Sequence, residues 1–300
     1  MKPDENIEII KQAFSILENT IGFRKSTVYL QYSFFDGVSE EDYIKIDYKL
    51  KAIRQDFIKI LSIMNAIDKT YSAYQSDEYM YTYISVGDVQ VINELGCYIE
   101  YLFMKYRVIL EYIEQVLEIC IPPRLNDTQK NEYNTLKKTH TKYKFLLKYI
   151  AENINKTSGI LNMEWFQNIR IERDFIIHDG ATCVVSEDKK NLLFKVMTID
   201  ALNKEENEPD IFFSNKNGSI YYVRYWGLQI SKLIVFAETI FDFLISISTI
   251  PDKNKYFFNK YFSNCRNKFI DDDGTEFDDI QEVLMKILKT LIDDNIDNLS

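Results

Sequence analysis

A mainly α-helical bundle carrying a small β-ribbon is predicted by three observations. Apolar residues recur at threes and fours along most of the 300-residue chain, the period of a helix with one buried face. One stretch after residue 181 breaks that period with β-branched and aromatic runs separated by polar turns. Hydrophobic residues make up 46% of the chain, enough to fill a sizeable core.

The first helix enters at Pro3 and Asp4 and runs about five turns on Ile7, Ile10, Phe14, Leu17 and Ile21. Ser39 and Asp42 form a capping box for the second, which Ile44, Tyr48, Phe57, Leu61, Met64, Ile67 and Tyr71 sustain. A third begins near Asp88, shows Val91, Leu95, Tyr98, Leu102, Ile109, Ile113 and Val116 on one side, and is closed by Pro122 and Pro123. Thr128 to Asn155 reads as one more exposed helix, with Leu136, Tyr143, Leu146, Leu147 and Ile150 inward and lysines on its wet face. Trp165, Ile169 and Ile176 carry another, ended by Gly180 in a left-handed cap.

Thr182 to Val185, Leu192 to Val196 and Ser219 to Tyr225 are the expected strands, and helix resumes at Trp226. The longest apolar run, Leu233 to Ile250, is interrupted by Glu238 and Asp242. These belong to a polar stripe with Ser231, Ser246 and Thr249, which argues for a deeply packed helix over a membrane span. After Pro251 come an aromatic stretch from Tyr256 to Phe262, an acidic loop at Asp271 to Gly274, and an amphipathic helix on Ile280, Val283, Leu284, Ile287, Leu288 and Leu291. The expected division is a helical domain over 1–250, its core about 87–250, and a C-terminal helical extension over 251–300.

Thirty-six Lys plus Arg against 46 Asp plus Glu give a net charge of -10, so any nucleic acid must be met locally, in a cleft. Four cysteines, Cys97, Cys120, Cys183 and Cys265, are scattered without a C-x-x-C pair and read as reduced thiols. The opening MKPDENIEII lacks an apolar signal core, and a cytoplasmic location with no membrane contact is expected. No Gly-rich phosphate loop and no nucleophile elbow occurs among the nine glycines. Aligning Gly274 with the glycine of a calcium loop places Phe269 and Ile280 at ligand positions. No metal site and no cofactor is therefore expected. His140, among Lys137, Lys138 and Lys142, reads as a surface residue.

The segment from Ile169 to Cys183, IRIERDFIIHDGATC, holds the second of two histidines. Arg170, Asp174 and His178 fall on one helix face at spacings of four, whereas Arg173 lies five steps from His178. Two readings are open. In the structural one, Asp174 pairs with His178 or Arg170, and His178 in the last turn complements the helix dipole. In the chemical one, an imidazole titrating near neutrality moves a proton while a fixed guanidinium steadies a phosphate.

The run Arg173-Asp174-Phe175-Ile176-Ile177-His178, followed by a glycine at 180, resembles the R-x4-6-H motif of the HEPN superfamily. A long helix before it, a short extended stretch after it and a strand-then-helix close are similar to the layout of larger bacterial members. The likeness spans about half to four-fifths of the chain, and its motif is short. The resemblance implies a dimerising helical bundle whose paired Arg-His motifs meet in one cleft and cut RNA without metal, as toxins or antiviral defence effectors do. On that basis Arg173 and His178 are the catalytic candidates, Asp174 an orienting one and Arg170 an RNA-binding one. A homodimer, an RNA substrate and an antitoxin or nucleotide partner are the implied associations. The resemblance equally admits a non-catalytic module that serves as a dimerisation or partner-binding scaffold. Many members have asparagine where Asp174 stands, and those modified by a partner nucleotidyltransferase have tyrosine where this chain has Gly180. Pairing of that last kind is not expected.

Overall fold

A computed structural model of the chain describes residues 3–76, 86–154, 159–166, 174, 176–178, 181–188, 191–197, 219–251 and 278–293. Helical period becomes a helical bundle: α1 (Pro3–Asn19), α2 (Arg24–Gln31), α3 (Glu40–Ser76), α4 (Val86–Cys120), α5 (Asp127–Thr135), α6 (Thr139–Asn153), α7 (Tyr222–Ser246) and α8 (Asp278–Asp293). A three-stranded antiparallel sheet, β1 (Thr182–Asp188), β2 (Asn191–Met197) and β3 (Ile220–Tyr221), is ordered β1-β2-β3. The chain is thus mainly α, with the sheet inserted between α6 and α7.

The helix signals act as the sequence implies. The Asp42 amide donates to Ser39 Oγ at 3.2 Å and that hydroxyl donates to the Asp42 carboxylate at 2.8 Å, satisfying a donor that the first turn of α3 otherwise leaves open. A second box, unread in the sequence, starts α5: Gln129 N–H donates to Asn126 Oδ1 at 2.9 Å and Asn126 N–H donates to Gln129 Oε1 at 3.1 Å. After α4 the paired prolines form a 3-10 turn over Pro122–Arg124.

Two expectations change, and one helix was not expected. The single helix expected from Thr128 to Asn155 is two, broken at Leu136 to Lys138, where Leu136 and Lys138 are extended. The hydroxyls of Thr135 and Thr141 donate to the backbone carbonyls of Glu132 and Lys138, each at 2.6 Å, and such local bonds compete with a continuous helical ladder. The short α2 had no expectation at all. Its inward face is made of Ser26, Thr27 and Leu30, so an apolar count sees little. The third strand stops at Tyr221, because Tyr222, Tyr225 and Trp226 are buried at helical spacing on the first turn of α7.

The core is built where α4 and α7 meet the sheet. Trp226, fully buried, sits 4.8 Å from Phe103 and 5.5 Å from Tyr225 between ring centroids, and Phe103 meets Phe194 of β2 at 6.1 Å. These are edge-on arrangements that favour the ring quadrupoles. The Tyr106 hydroxyl donates to the Gln229 carbonyl at 2.9 Å, so this buried phenol keeps a partner. On the far side of α7, Gly227 lets α8 approach closely: a Cβ there would lie 2.5 Å from Leu291 Cδ1 and 2.9 Å from Ile287 Cγ2. Leu284, Ile287, Leu288 and Leu291 of α8 are buried in the same core as α1, α3 and α7. Asn65 Nδ2 donates to the Ile280 carbonyl and Gln281 Nε2 to the Leu17 carbonyl, each at 3.1 Å, pinning both sides of that helix.

No described helix is long and apolar enough to cross a membrane. The run that raised the question is α7, in which nineteen residues are buried, Ser231 and Glu238 of the expected polar stripe among them. Ser231 returns its hydroxyl to the Gly227 carbonyl at 2.8 Å. Cys120 and Cys183 are buried and Cys97 is exposed, all three as thiols outside any disulfide, while Cys265 lies outside the described residues.

One carboxylate in this core makes stability depend on pH. Glu114 of α4 is buried near the Tyr143 hydroxyl, and burial first, then the nearby Glu118 charge, pushes its pKa up to about 7. A carboxyl whose folded pKa exceeds its unfolded value stabilises fully below the unfolded value and loses that contribution as pH climbs through the folded one. Glu114→Gln is accordingly expected to change stability little near pH 4, below the unfolded value, and to raise it on the order of 1 kcal/mol near pH 8. Urea unfolding at both pH values checks this; equal effects at both would contradict it.

Candidate functional site

The Arg-His segment leads directly into β1, the strand that lies along α4. Asp174 and Ile176 to His178 are helical, as the sequence period implies. Ile176 packs against the core, whereas Ile177 is 41% exposed and His178 is exposed. Asp174 is half-buried. Anchoring by Ile176 turns the next two side chains toward solvent, so the imidazole is reachable by a ligand. Arg170 and Arg173, and Gly180 with its expected capping role, lie outside the described residues.

The strand after the motif is fixed firmly. Ala181 is buried, and β1 then packs on α4. Cys183 N–H donates to Glu100 Oε1 at 2.8 Å. A Cβ on Gly96 would stand 2.5 Å from the Cys183 carbonyl oxygen, so only a glycine lets the strand sit this close to the helix. Farther along, Tyr71 of α3 donates its hydroxyl to Glu187 at 3.0 Å. Two helices therefore set the course of β1, which begins a few residues beyond His178. Gly96→Val is expected to destabilise the fold by about 1–3 kcal/mol through overpacking, and to loosen the segment before β1. Thermal unfolding with hydrogen exchange at 181–188 measures both; an unchanged melting temperature would show that the contact yields without cost.

β1 alternates as a half-covered strand does, with Cys183 and Val185 buried and Thr182, Val184 and Ser186 exposed. On the outward face the register sets Thr182 opposite Met197 and Val184 opposite Lys195. Val184 is 47% exposed and Met197 46%, and Ile177 adds a third open apolar side chain next to the imidazole in sequence.

His140 is exposed at the start of α6, as expected of a surface residue. The Asp271 to Gly274 loop lies outside the described residues. Among the described residues no cluster of three or more His, Cys, Asp or Glu is placed to hold a metal. Sequence reading passed over Ser26, whose hydroxyl donates to the buried Glu238; the signal available was a carboxylate within the most apolar run of the chain.

Fold and site together define a mainly helical bundle with an exposed imidazole at the helix-to-sheet junction. No family model, no curated protein and no solved structure matches the chain.

Proposed function

We propose that the chain is a metal-independent endoribonuclease of the toxin or phage-defence type, acting as a homodimer in the cytoplasm. The observation that carries this reading is the exposed His178, at the end of a helical segment anchored on one side by Ile176 and on the other by β1, with Arg173 five positions before it. The resemblance of that spacing to the HEPN motif supplies the reaction class. The open apolar side chains Ile177, Val184 and Met197 suit a face shared by two copies, since the closed symmetry of a dimer would place the same patch against itself.

In the chemistry that fits, the imidazole of His178 takes the proton of a ribose 2′-hydroxyl. The resulting oxyanion attacks the adjacent phosphorus, and the Arg173 guanidinium stabilises the charge on the equatorial oxygens. The bond to the 5′-oxygen breaks as that oxygen receives a proton from the imidazolium of the second protomer, leaving a 2′,3′-cyclic phosphate and a 5′-hydroxyl. Asp174 orients this pair, and Arg170 adds positive charge to the cleft. A general acid-base group of this kind contributes about 10²–10⁴-fold.

The alternative is a non-catalytic module of the same fold that receives a nucleotide or protein partner, and the net charge of -10 favours it, because an acidic surface repels RNA beyond the cleft. Induced expression separates the two. The nuclease reading expects growth arrest with loss of intact cellular RNA, relieved by His178→Ala; normal growth and intact RNA under strong expression would leave the scaffold reading standing.

A further inference from the structure

A second site lies away from the Arg-His segment, where the turn after α1, the start of α2 and the first half of α3 enclose a cavity of about 250 Å³. That is just under the roughly 300 Å³ at which sites for drug-sized ligands begin, room for a charged head group and a few carbons. Three cationic side chains line it, Arg24 of α2 with Lys51 and Arg54 of α3, and among the described residues that form it no acid occurs. The chain carries 46 Asp plus Glu against 36 Lys plus Arg, so the balance in this hollow runs against the charge of the whole. Its floor is apolar. Phe23 and Phe57 are buried with ring centroids 4.6 Å apart, and Ile21 and Ile58 stand half-buried beside them.

The protein itself sets where these charges lie. Arg54 Nη1 donates to Oγ1 of the fully buried Thr27 at 3.1 Å, which fixes the guanidinium in place, and its charge acts on the cavity whichever protein atoms share its five N–H donors. Lys51 meets Asp47 at 2.7 Å in an exposed pair that water and salt weaken, so its ammonium can turn to a ligand. Arg24 opens α2, at the positive end of the helix dipole, where an anion is favoured and a cation is not; no acidic residue occupies that first turn. Asp56, two positions past Arg54, lies about 200° farther around α3, and its carboxylate is held by Lys59 and Lys105. Three like charges around one hollow repel each other, and an anion lodged there removes that cost. Phosphate suits arginine, whose planar fork meets two of its oxygens at once. Lys51 is exposed and Arg24 and Arg54 are half-buried, so all three are open to a ligand from solvent.

We infer that this cavity binds a small organic phosphate monoester, with its phosphate among Arg24, Lys51 and Arg54 and its short apolar substituent against Ile21 and Ile58. The site is independent of the ribonuclease reading and survives its failure, since His178 is not among the residues that form it.

Calorimetric titration of the full chain tests this with three probes, n-butyl phosphate, inorganic phosphate and 1-butanol. Saturable binding of the ester is expected, about tenfold tighter than inorganic phosphate, as burial of two methylenes gives, with none of the alcohol. Arg54→Gln is expected to weaken binding of the ester by roughly tenfold or more, as loss of a charge-assisted bond does, with circular dichroism checking that the fold survives loss of the bond to Thr27. Lys51→Gln, at an exposed position where folding is not at stake, is expected to weaken it by a smaller factor of about three. No heat from the ester, equal affinity for inorganic phosphate, saturable binding of the alcohol, or unaltered affinity in Lys51→Gln and in a folded Arg54→Gln would overturn the assignment.

Discussion

Under the proposed ribonuclease activity, alanine at His178 is expected to lower RNA cleavage by about 10²–10⁴-fold, the range for loss of a positioned general base, while the protein folds as before. The exposure of the side chain is what makes this separation of activity from stability a firm expectation. An exposed residue outside a buried network, even one that complements a helix dipole, changes stability by about 1 kcal/mol or less, so circular dichroism and sedimentation should not distinguish the variant from the parent. Arg173→Lys is a companion test. A lysine preserves the charge but not the planar fork that meets two phosphate oxygens at once, so a loss of rate there with the substrate still bound would assign Arg173 to the transition state. A contaminating nuclease would be betrayed by His178→Ala cutting as fast as the parent.

Replacing Trp226 with alanine is expected to cost about 3–5 kcal/mol, the range for removing a large buried aromatic side chain. Trp226 is fully buried and touches rings from α4 and its own helix, at 4.8 Å from Phe103, 6.2 Å from Tyr106 and 5.5 Å from Tyr225. Phe103 in turn holds Phe194 of β2, so the cavity left behind would open between α4, α7 and the sheet. Since β1 is seated on α4 through Gly96 and Glu100, loosened packing there reaches the residues just after His178. Urea denaturation of the parent and of Trp226→Phe, which retains a ring, gives the comparison: a drop of less than about 1 kcal/mol for alanine would mean that the core closes over the gap.

Much of this architecture was legible because helices with one buried face write their period into the chain. Pro3, the Ser39 and Asp42 box and the Pro122-Pro123 stop mark boundaries that the structure places within a few residues of expectation. Legibility failed where burial is not apolar. The α2 helix turns Ser26 and Thr27 inward, and the break between α5 and α6 falls at Leu136 to Lys138, which no hydrophobic period records. At Tyr222 to Trp226 the residues favour a strand by type but are spaced for a helix, and spacing decided, with Tyr222, Tyr225 and Trp226 buried together on the first turns of α7. For the candidate site, the position of His178 at a helix end before a strand was readable, and its exposure was not. That exposure depends on Ile176 facing the core, which is a fact of packing. Glu238 was visible as an anomaly in the apolar run, but its partner Ser26 is 212 residues away in sequence and only the fold unites them.

Whether the imidazole at position 178 activates a ribose hydroxyl without a metal, as proposed, is decided by a matched pair of oligonucleotides in excess EDTA, one all-ribose and one carrying a single 2′-deoxy residue at the preferred cut. The parent protein is expected to cut the first to a 2′,3′-cyclic phosphate and to spare the substituted linkage of the second, and His178→Ala to lose the reaction. An all-ribose strand left whole by the parent, or one cut alike by parent and variant, would contradict it.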